Sequence, residues 1–336
     1  MNEQREVVIL SGVRTAIGDY GGSLKDIPPS ELGAQVVREA VSRAKVDPKD
    51  IGQCMFGNVI HTEAKDMYIS RVAALKGGLP AESGALTVNR LCGSGMQAIV
   101  SASQSILLGD VDAAVAGGAE SMSRGAYANV TQRWGARMGD AKDIDMMVGA
   151  LTDPFDTIHM GVTAENVANK CGITRADQDA WRRVLALEPI RGGDEIGNVR
   201  GECRIREISF RVALAREIEA QDGDAGVDPK IMGLGPVSAV KSALAKAGLK
   251  LEQMDVIESN EAFAAQALGV SKELGMNPAK VNPNGGAVAL GHPIGATGCI
   301  LTVKAMYELH RTGGRYGLIT MCIGGGQGIA AIIERM

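Results

Sequence analysis

Four side chains of this 336-residue chain could do chemistry together, and each stands where an apolar, strand-like run meets glycines or a turn: Cys92 in "NRLCGSG", Asn260 in "SNEAF", His292 in "GHPIGATG" and Cys322 in "MCIGGGQG". A histidine can take a thiol proton, and the thiolate can then attack a carbonyl to give a covalent acyl-enzyme. The oxyanion formed in that attack needs hydrogen-bond donors, and backbone N–H groups in the Gly324–Gly326 run, where no side chain blocks approach, would supply them. A second cysteine at the same place could act as a base toward a carbon acid. Each element also has a plainer reading. Cys92 could pack as a small hydrophobe, His292 could be a hydrogen-bonded structural residue, Cys322 could be strand core, and the glycines could be a tight turn. Asn260 could cap the helix that begins in "EAFAAQAL". It is the occurrence of all four at turns after strands that favours a joint site.

The elements that must position Cys92 are legible on either side of it. "ALTV" precedes it as a short strand, and Met96, Ile99, Val100, Ser103, Ile106 and Leu107 follow at three- and four-residue spacing, one face of a helix. A thiol at a helix N-terminus is expected to ionise more easily, because the N–H groups there favour negative charge. The chain also resembles itself. "VVREAVSRAKVDPKDIGQCMFGNV" and "AVKSALAKAGLKLEQMDVIESNEA" both read as helix then strand, and "DAAVAGGAESMS" is echoed by "YGLITMCIGGGQGIAA". An offset of 200 sets Cys92 against His292 and Gly95 against Gly295. Two α/β halves with mixed, mostly parallel sheets are expected, their equivalent turns converging on one site.

Composition bounds the rest. Apolar residues make up 45%, charged residues 22% and aromatics only 3%, with 44 glycines, so cores of small aliphatic side chains and many close backbone approaches are expected. A net charge of −4 gives no footprint for nucleic acid or an anionic membrane. No stretch reaches about 18 continuous apolar residues, and "MNEQREVVIL" reads as a first strand rather than a signal peptide. Six scattered cysteines fit reduced thiols in the cytoplasm better than a disulfide framework. No His/Cys/Asp/Glu grouping has metal-ligand spacing, and "GGGQG" lacks the Lys-Ser/Thr ending of a phosphate loop. His61 and His310 are assigned surface or structural places.

With these residues in hand, the chain resembles the thiolase family, nearest the bacterial β-ketothiolases and acetyl-CoA acetyltransferases. "SGVRTAIG", "NRLCGSGMQAI", "GGAESMS", "HMGVTAENVA", "GVDPKIMGLGP", "NEAFAAQAL", "VNPNGGAVALGHPIGATG" and "MCIGGGQGIAA" look like thiolase signatures in thiolase order. The resemblance implies two βαβαβαββ halves in a five-layered α-β-α-β-α core, with an inserted loop domain: 1–121 as the half carrying the nucleophile, 122–211 as the insertion, and 212–336 as the half carrying Asn260, His292 and Cys322. It implies that Cys92 takes the acyl group, His292 activates it, and Asn260 positions a water at one oxyanion site. The N–H groups of Cys92 and Gly324 would form the other, and Cys322 would exchange the α-proton. Met160 and Met232 would line the acyl pocket, Leu151 and His159 would touch coenzyme A, and Phe263 would belong to the same substrate- and coenzyme A-binding set. The implied reaction is reversible Claisen condensation of acetyl-CoA with an acyl-CoA, and thiolysis of a short-chain 3-ketoacyl-CoA. No cofactor is implied beyond the coenzyme A thioesters themselves, and a homodimer or homotetramer is.

The resemblance fails between Ala180 and Val212, where "WRRVLALEPIRGGDEIGNVRGECRIREISFR" holds seven arginines and no lysine. Family members carry a longer segment here, with a core strand and helix of the first half. Its loss predicts weaker coenzyme A binding and a less stable first half. A decarboxylating ketoacyl synthase is the rival within the superfamily, disfavoured because that class pairs its cysteine with two histidines. A catalytically impaired acyl-CoA-binding protein on the same scaffold is the rival from outside it.

Overall fold

The computed structural model describes residues 6–187, 210–213 and 226–336. Most of the 180–212 departure therefore lies outside the described residues. The strand "QCMFG" forms β2 (Gln53–Gly57), whose Cys54, Met55 and Phe56 are all buried, as expected for a strand covered on both faces. It pairs in parallel with β3 (Gly84–Val88) on one side and β4 (Ala114–Gly118) on the other. A second sheet runs in the order β1 (Val8–Ile9), β7 (Phe210–Ala213), β10 (Gln327–Arg335), β9 (Tyr316–Ile323), β8 (Val256–Ser259). Within it β8 and β9 are parallel, while β9–β10, β10–β7 and β7–β1 are antiparallel. Among the described residues the first sheet is thus wholly parallel, as expected, while the second is mixed with three of its four pairings antiparallel. The difference arises at "IGGGQG", which is a hairpin: Gly325 and Gly326 have φ of +83° and +87°, a left-handed turn that reverses the strand at once.

Between the two sheets lie α3 (Ser94–Leu108) and α10 (Thr297–Thr312), packed on each other, α3 also on β2 and β4 and α10 also on β8 and β9. Both helices end at a left-handed glycine, Gly109 and Gly313. Met96, Val100, Leu301, Met306, Leu309, Ile319 and Met321 meet in one core there, each large side chain contributing about 1.5–3 kcal/mol by its burial. α1 (Pro29–Ala44) and α2 (Ile69–Gly77) cover the outer face of the first sheet, and α7 (Gly235–Ala247) with α8 (Ala264–Leu274) the outer face of the second. Five layers result. The face of α3 differs from the expected one: Met96, Val100 and Ser103 are buried, but Leu107 is 44% exposed and Ala98 and Ala102 take the inner positions, because the gap to β2 and β4 admits only small side chains. Leu91–Leu108 also has the length and apolarity of a membrane span, against the sequence expectation, yet it is this sandwiched helix. The first strand is only two residues long.

From β4 the chain runs through β5 (Tyr127–Ala128), β6 (Ile144–Asp145), α4 (Met146–Ala150), α5 (Met160–Cys171) and α6 (Arg175–Leu187). α5 and α6 pack on α8, which places this segment beside the turn that follows β8.

Candidate active site

Cys92 sits in a turn whose shape is written in its neighbours. Leu91 has φ +46°, a strained conformation for a branched residue, and it is held there by short polar side chains. The Leu91 N–H donates to Asn89 Oδ1 at 3.1 Å, the Arg90 N–H donates to Ser94 Oγ at 2.8 Å, and Ser94 Oγ donates to the Leu91 carbonyl at 2.6 Å. Asn89 and Ser94 are positioning residues that the sequence reading passed over. The strained turn presents Cys92 at the start of α3, half-buried, with the Gly324 N–H directed at its thiol. Burial pushes the thiol up to about 11, outweighing the N–H groups of Gly324 and of Cys92 itself, and the Glu120 carboxylate adds to the rise. The easier ionisation expected from the helix terminus is therefore corrected: desolvation is the larger effect. Cys322, fully buried at the end of β9, is pushed up further by its burial and by the nearby Cys92 thiol.

His292 and Asn260 form the second part of the site. The Thr297 hydroxyl donates to the Pro293 carbonyl at 3.0 Å, so its oxygen is left to accept from His292 Nδ1 at 2.7 Å. That network assigns the proton to Nδ1 and leaves Nε2 with its lone pair free to act as a base. Asn260 Nδ2 lies 3.4 Å from Nε2. Asn260 is 1% exposed, and its Oδ1 meets no protein donor among the described residues, which suits an acceptor reserved for something that enters the site. It does not cap α8, whose N-cap is Phe263. Burial lowers His292 to about 4, so the resting site pairs a protonated thiol with a neutral imidazole.

Glu120, just beyond β4, joins the halves. Its Oε1 accepts from Asn58 Nδ2 and the Ile60 N–H, both at 3.1 Å; its Oε2 accepts from the Val59 N–H at 3.1 Å and from the Gly295 N–H at 2.9 Å. Burial raises this carboxyl to about 7 against the pull of those donors. The halves approach so closely here that a Cβ on Gly118 would stand 2.3 Å from the Gly295 carbonyl oxygen. Glu261 secures the loop ahead of His292, accepting from Asn282 Nδ2 at 2.8 Å and the Val288 N–H at 3.0 Å.

Met160, Met232 and Cys322 pack in one buried cluster against Ala262 and Phe263, an apolar wall beside the thiols. Gly324 borders it: a Cβ there would lie 3.1 Å from Leu91 Cδ1 and 3.7 Å from Met160 Cε. Leu151 is half-buried at the end of α4, its carbonyl accepting from the Met160 N–H at 2.8 Å. His159 is exposed and caps α5, Nδ1 accepting from the Gly161 N–H at 3.0 Å. His61 and His310 are exposed, as expected. Among the described residues the five cysteines are free and no cluster has the makings of a metal site.

A five-layered duplicated α/β fold that places a cysteine under a glycine N–H, a second thiol close by, and a histidine paired with a buried asparagine belongs to the class of α/β proteins with a cysteine-containing candidate site. The family model described as "Thiolase, N-terminal domain" matches residues 7–182, and "Thiolase, C-terminal domain" matches 214–335. The chain belongs to the thiolase family. It is 53% identical to a β-ketothiolase of Cupriavidus necator over 394 aligned positions, covering 99% of this chain and 100% of that one. It is 41% identical to an acetyl-CoA acetyltransferase of Chromobacterium violaceum, covering 98% and 100%. Among solved structures, human mitochondrial 3-ketoacyl-CoA thiolase in complex with CoA superposes with a TM-score of 0.88 at 32% identity, covering 98% of each chain. Since 394 positions are aligned with a 336-residue chain, at least 58 of them face no residue here.

Proposed function

We propose that this chain catalyses the reversible condensation of acetyl-CoA with an acyl-CoA, and the thiolysis of short-chain 3-ketoacyl-CoA, through an acyl-Cys92 intermediate. In thiolysis the Cys92 proton passes to His292 Nε2 while Sγ attacks the 3-keto carbon. The C2–C3 bond breaks, the acetyl-CoA carbanion takes a proton from Cys322, and the acyl group remains on Cys92. Free coenzyme A then gives its thiol proton to the Cys322 thiolate and attacks that thioester through sulfur; the Cys92–acyl bond breaks, and Cys92 takes its proton back from His292 Nε2. The N–H groups of Cys92 and Gly324 hold one oxyanion; His292 and a water on Asn260 Oδ1 hold the other. Because the resting thiol and imidazole are both neutral, proton transfer accompanies attack and the charge is stabilised only as it forms.

One observation carries this reading: the directed Nε2 lone pair of His292, beside Asn260, in a site whose other half offers Cys92 with a Gly324 donor. Met160, Met232 and Phe263 take the acyl group. Leu151 and His159 contact coenzyme A, His159 from its place as the cap of α5. The described part of the insertion, residues 122–187, covers the site between the two halves; residues 188–209 lie outside the described residues. The chemistry asks only for thiols, an imidazole and backbone donors, so no resident cofactor is assigned. Free cysteines fit a reducing cytoplasm, and a homodimer or homotetramer is assigned with the family. Steady-state thiolysis of acetoacetyl-CoA by coenzyme A tests the reading. Acetyl-CoA formation supports it; tight acyl-CoA binding without turnover would leave an impaired binding protein instead.

A further inference from the structure

Cys92 and His292 stand just ahead of α3 and α10, and the starts of those helices meet backbone to backbone. A Cβ on Gly95 would lie 3.0 Å from the Gly295 carbonyl oxygen, and one on Gly298 would lie 2.2 Å from the Met96 nitrogen. A Cβ on Gly57, at the end of β2, would lie 2.6 Å from the same Gly295 oxygen. Gly295 is therefore seated among β2, β4 and the first turn of α3. Contact of this kind limits how near the two turns come, but a directed bond is needed to hold them in register.

One side chain makes that bond. Glu120 accepts at both carboxylate oxygens, from Asn58 Nδ2, the Ile60 N–H and the Val59 N–H of the first half and from the Gly295 N–H of the second. Gly295 lies three residues after His292 and two before Thr297, whose hydroxyl fixes the His292 ring. We propose that Glu120 is a positioning residue of the reaction: its ionised carboxylate seats the His292 turn against the Cys92 turn, and a protonated Glu120 releases it. This role rests on the acyl-Cys92 reading of the site.

The surroundings favour the anion. All four contacts are donors, so a protonated carboxyl would turn an O–H toward an N–H and lose at least one bond. The reacting groups change charge far from neutrality: burial holds His292 down at about 4, and it pushes Cys92 up to about 11 and Cys322 further. Glu120 changes at about 7, raised first by burial, with the Asp66 carboxylate adding to the rise. Cys92 at the start of α3 and Cys299 on α10, pushed up to about 12 by burial, stay protonated through that range. The seat is therefore held above pH 7 and released as pH falls through it.

Steady-state thiolysis of acetoacetyl-CoA is measured from pH 6 to pH 8 on the parent, Glu120→Gln and Asp66→Asn, and amide exchange at Gly295 is followed without substrate. The parent kcat should be about tenfold lower at pH 6 than at pH 8, as one protonation near 7 requires, with KM within about twofold. Glu120→Gln keeps the shape but turns amide N–H groups toward two of the donors. Its kcat at pH 8 should fall about tenfold or more and change less than about twofold down to pH 6, and Gly295 exchange should quicken about tenfold. Asp66→Asn keeps an oxygen for Thr62 and Glu63, which donate to Asp66 Oδ2, and removes a charge that raises Glu120. It should match the parent at pH 8 and be about twice as active at pH 6. A flat parent profile, an acid limb that survives in Glu120→Gln, a limb unmoved in Asp66→Asn, or a loss carried by KM overturns the proposal. If Glu120→Gln does not fold, the parent and Asp66→Asn profiles decide alone. A folded parent without turnover would defeat the acyl-Cys92 reading instead; Gly295 exchange would then judge Glu120, quickened in Glu120→Gln if it seats the turn and unchanged if it does not.

Discussion

Replacing Lys304 by methionine should destabilise the protein by about 5 kcal/mol, and the reason is local. Lys304 Nζ lies 2.6 Å from Glu258 Oε2 and 2.5 Å from the Gly285 carbonyl, and the two side chains are 3% and 0% exposed. Methionine matches the stem but leaves a carboxylate in the core whose Oε1 already lacks a partner. Breaking a buried pair from one side costs about 3–5 kcal/mol, and the orphaned Gly285 carbonyl adds about 1 kcal/mol or more. Lys304→Met with Glu258→Met should recover to within about 2 kcal/mol of the parent, because no charge is then stranded. The pH dependence fixes the sign. Burial already holds the Glu258 carboxyl above its ordinary value despite Lys304, and without the lysine it rises further. A carboxyl raised in the folded state binds a proton more readily there than in the unfolded chain. The penalty is therefore full above the raised value and shrinks as pH falls through it. Urea unfolding at pH 7.5 and 5.5, on single and double variants, is the assay. A single-variant loss under about 1 kcal/mol, well below the cost of a stranded buried charge, would refute the reasoning. So would a double variant no better than the single one, or a penalty that grows on acidification.

Three further outcomes follow from the site. Alkylation of Cys92 by iodoacetamide should quicken about tenfold per pH unit up to roughly pH 11, as expected for a thiol buried to that value; a plateau by pH 8 would show an activated thiolate instead. His292, lowered to about 4 in the folded state, is protonated first in the unfolded chain. Its share of stability, about 3 kcal/mol at most, should be complete above pH 6.5 and lost as pH falls toward 4. His292→Asn should flatten that part of the acid unfolding curve, and an unchanged curve would contradict the assignment. Gly118→Ala sets a Cβ 2.3 Å from the Gly295 carbonyl oxygen, whereas Gly149→Ala meets nothing within 4 Å. The first should cost about 1–3 kcal/mol and most of the thiolysis rate, and the second should stay within about 0.5 kcal/mol of the parent; equal melting temperatures would be the wrong result.

The turn that carries Cys92 and the helix behind it were legible because apolar spacing and glycine are local signals. So was the pairing of two halves, which rests on repetition. Glu120 was not, since its partners lie about 60 residues away at Asn58–Ile60 and 175 residues away at Gly295; no local pattern records such a bond. Lys304 and Glu258 were missed likewise, 46 residues apart on a helix and a strand. The hairpin after β9 was read as a strand running into glycines, because sequence alone does not distinguish a left-handed glycine from a flexible one. Leu107 was assigned inward for its apolarity, while the space beneath α3 selected alanine. The ionisation of Cys92 was misjudged because helix-end polarity is visible in a sequence and the depth of burial is not. His292 was found by its company of glycines, but the proton on its Nδ1 required Thr297 in three dimensions.

The central claim is that Cys92 carries the acyl group. Intact mass after brief incubation with acetoacetyl-CoA, on the parent and on Cys92→Ala, addresses it directly. The account predicts a gain of about 42 Da, one acetyl group on the nucleophile, in the parent and none in the variant. A folded parent that gains no mass, or a Cys92→Ala variant that gains the same mass, would contradict it.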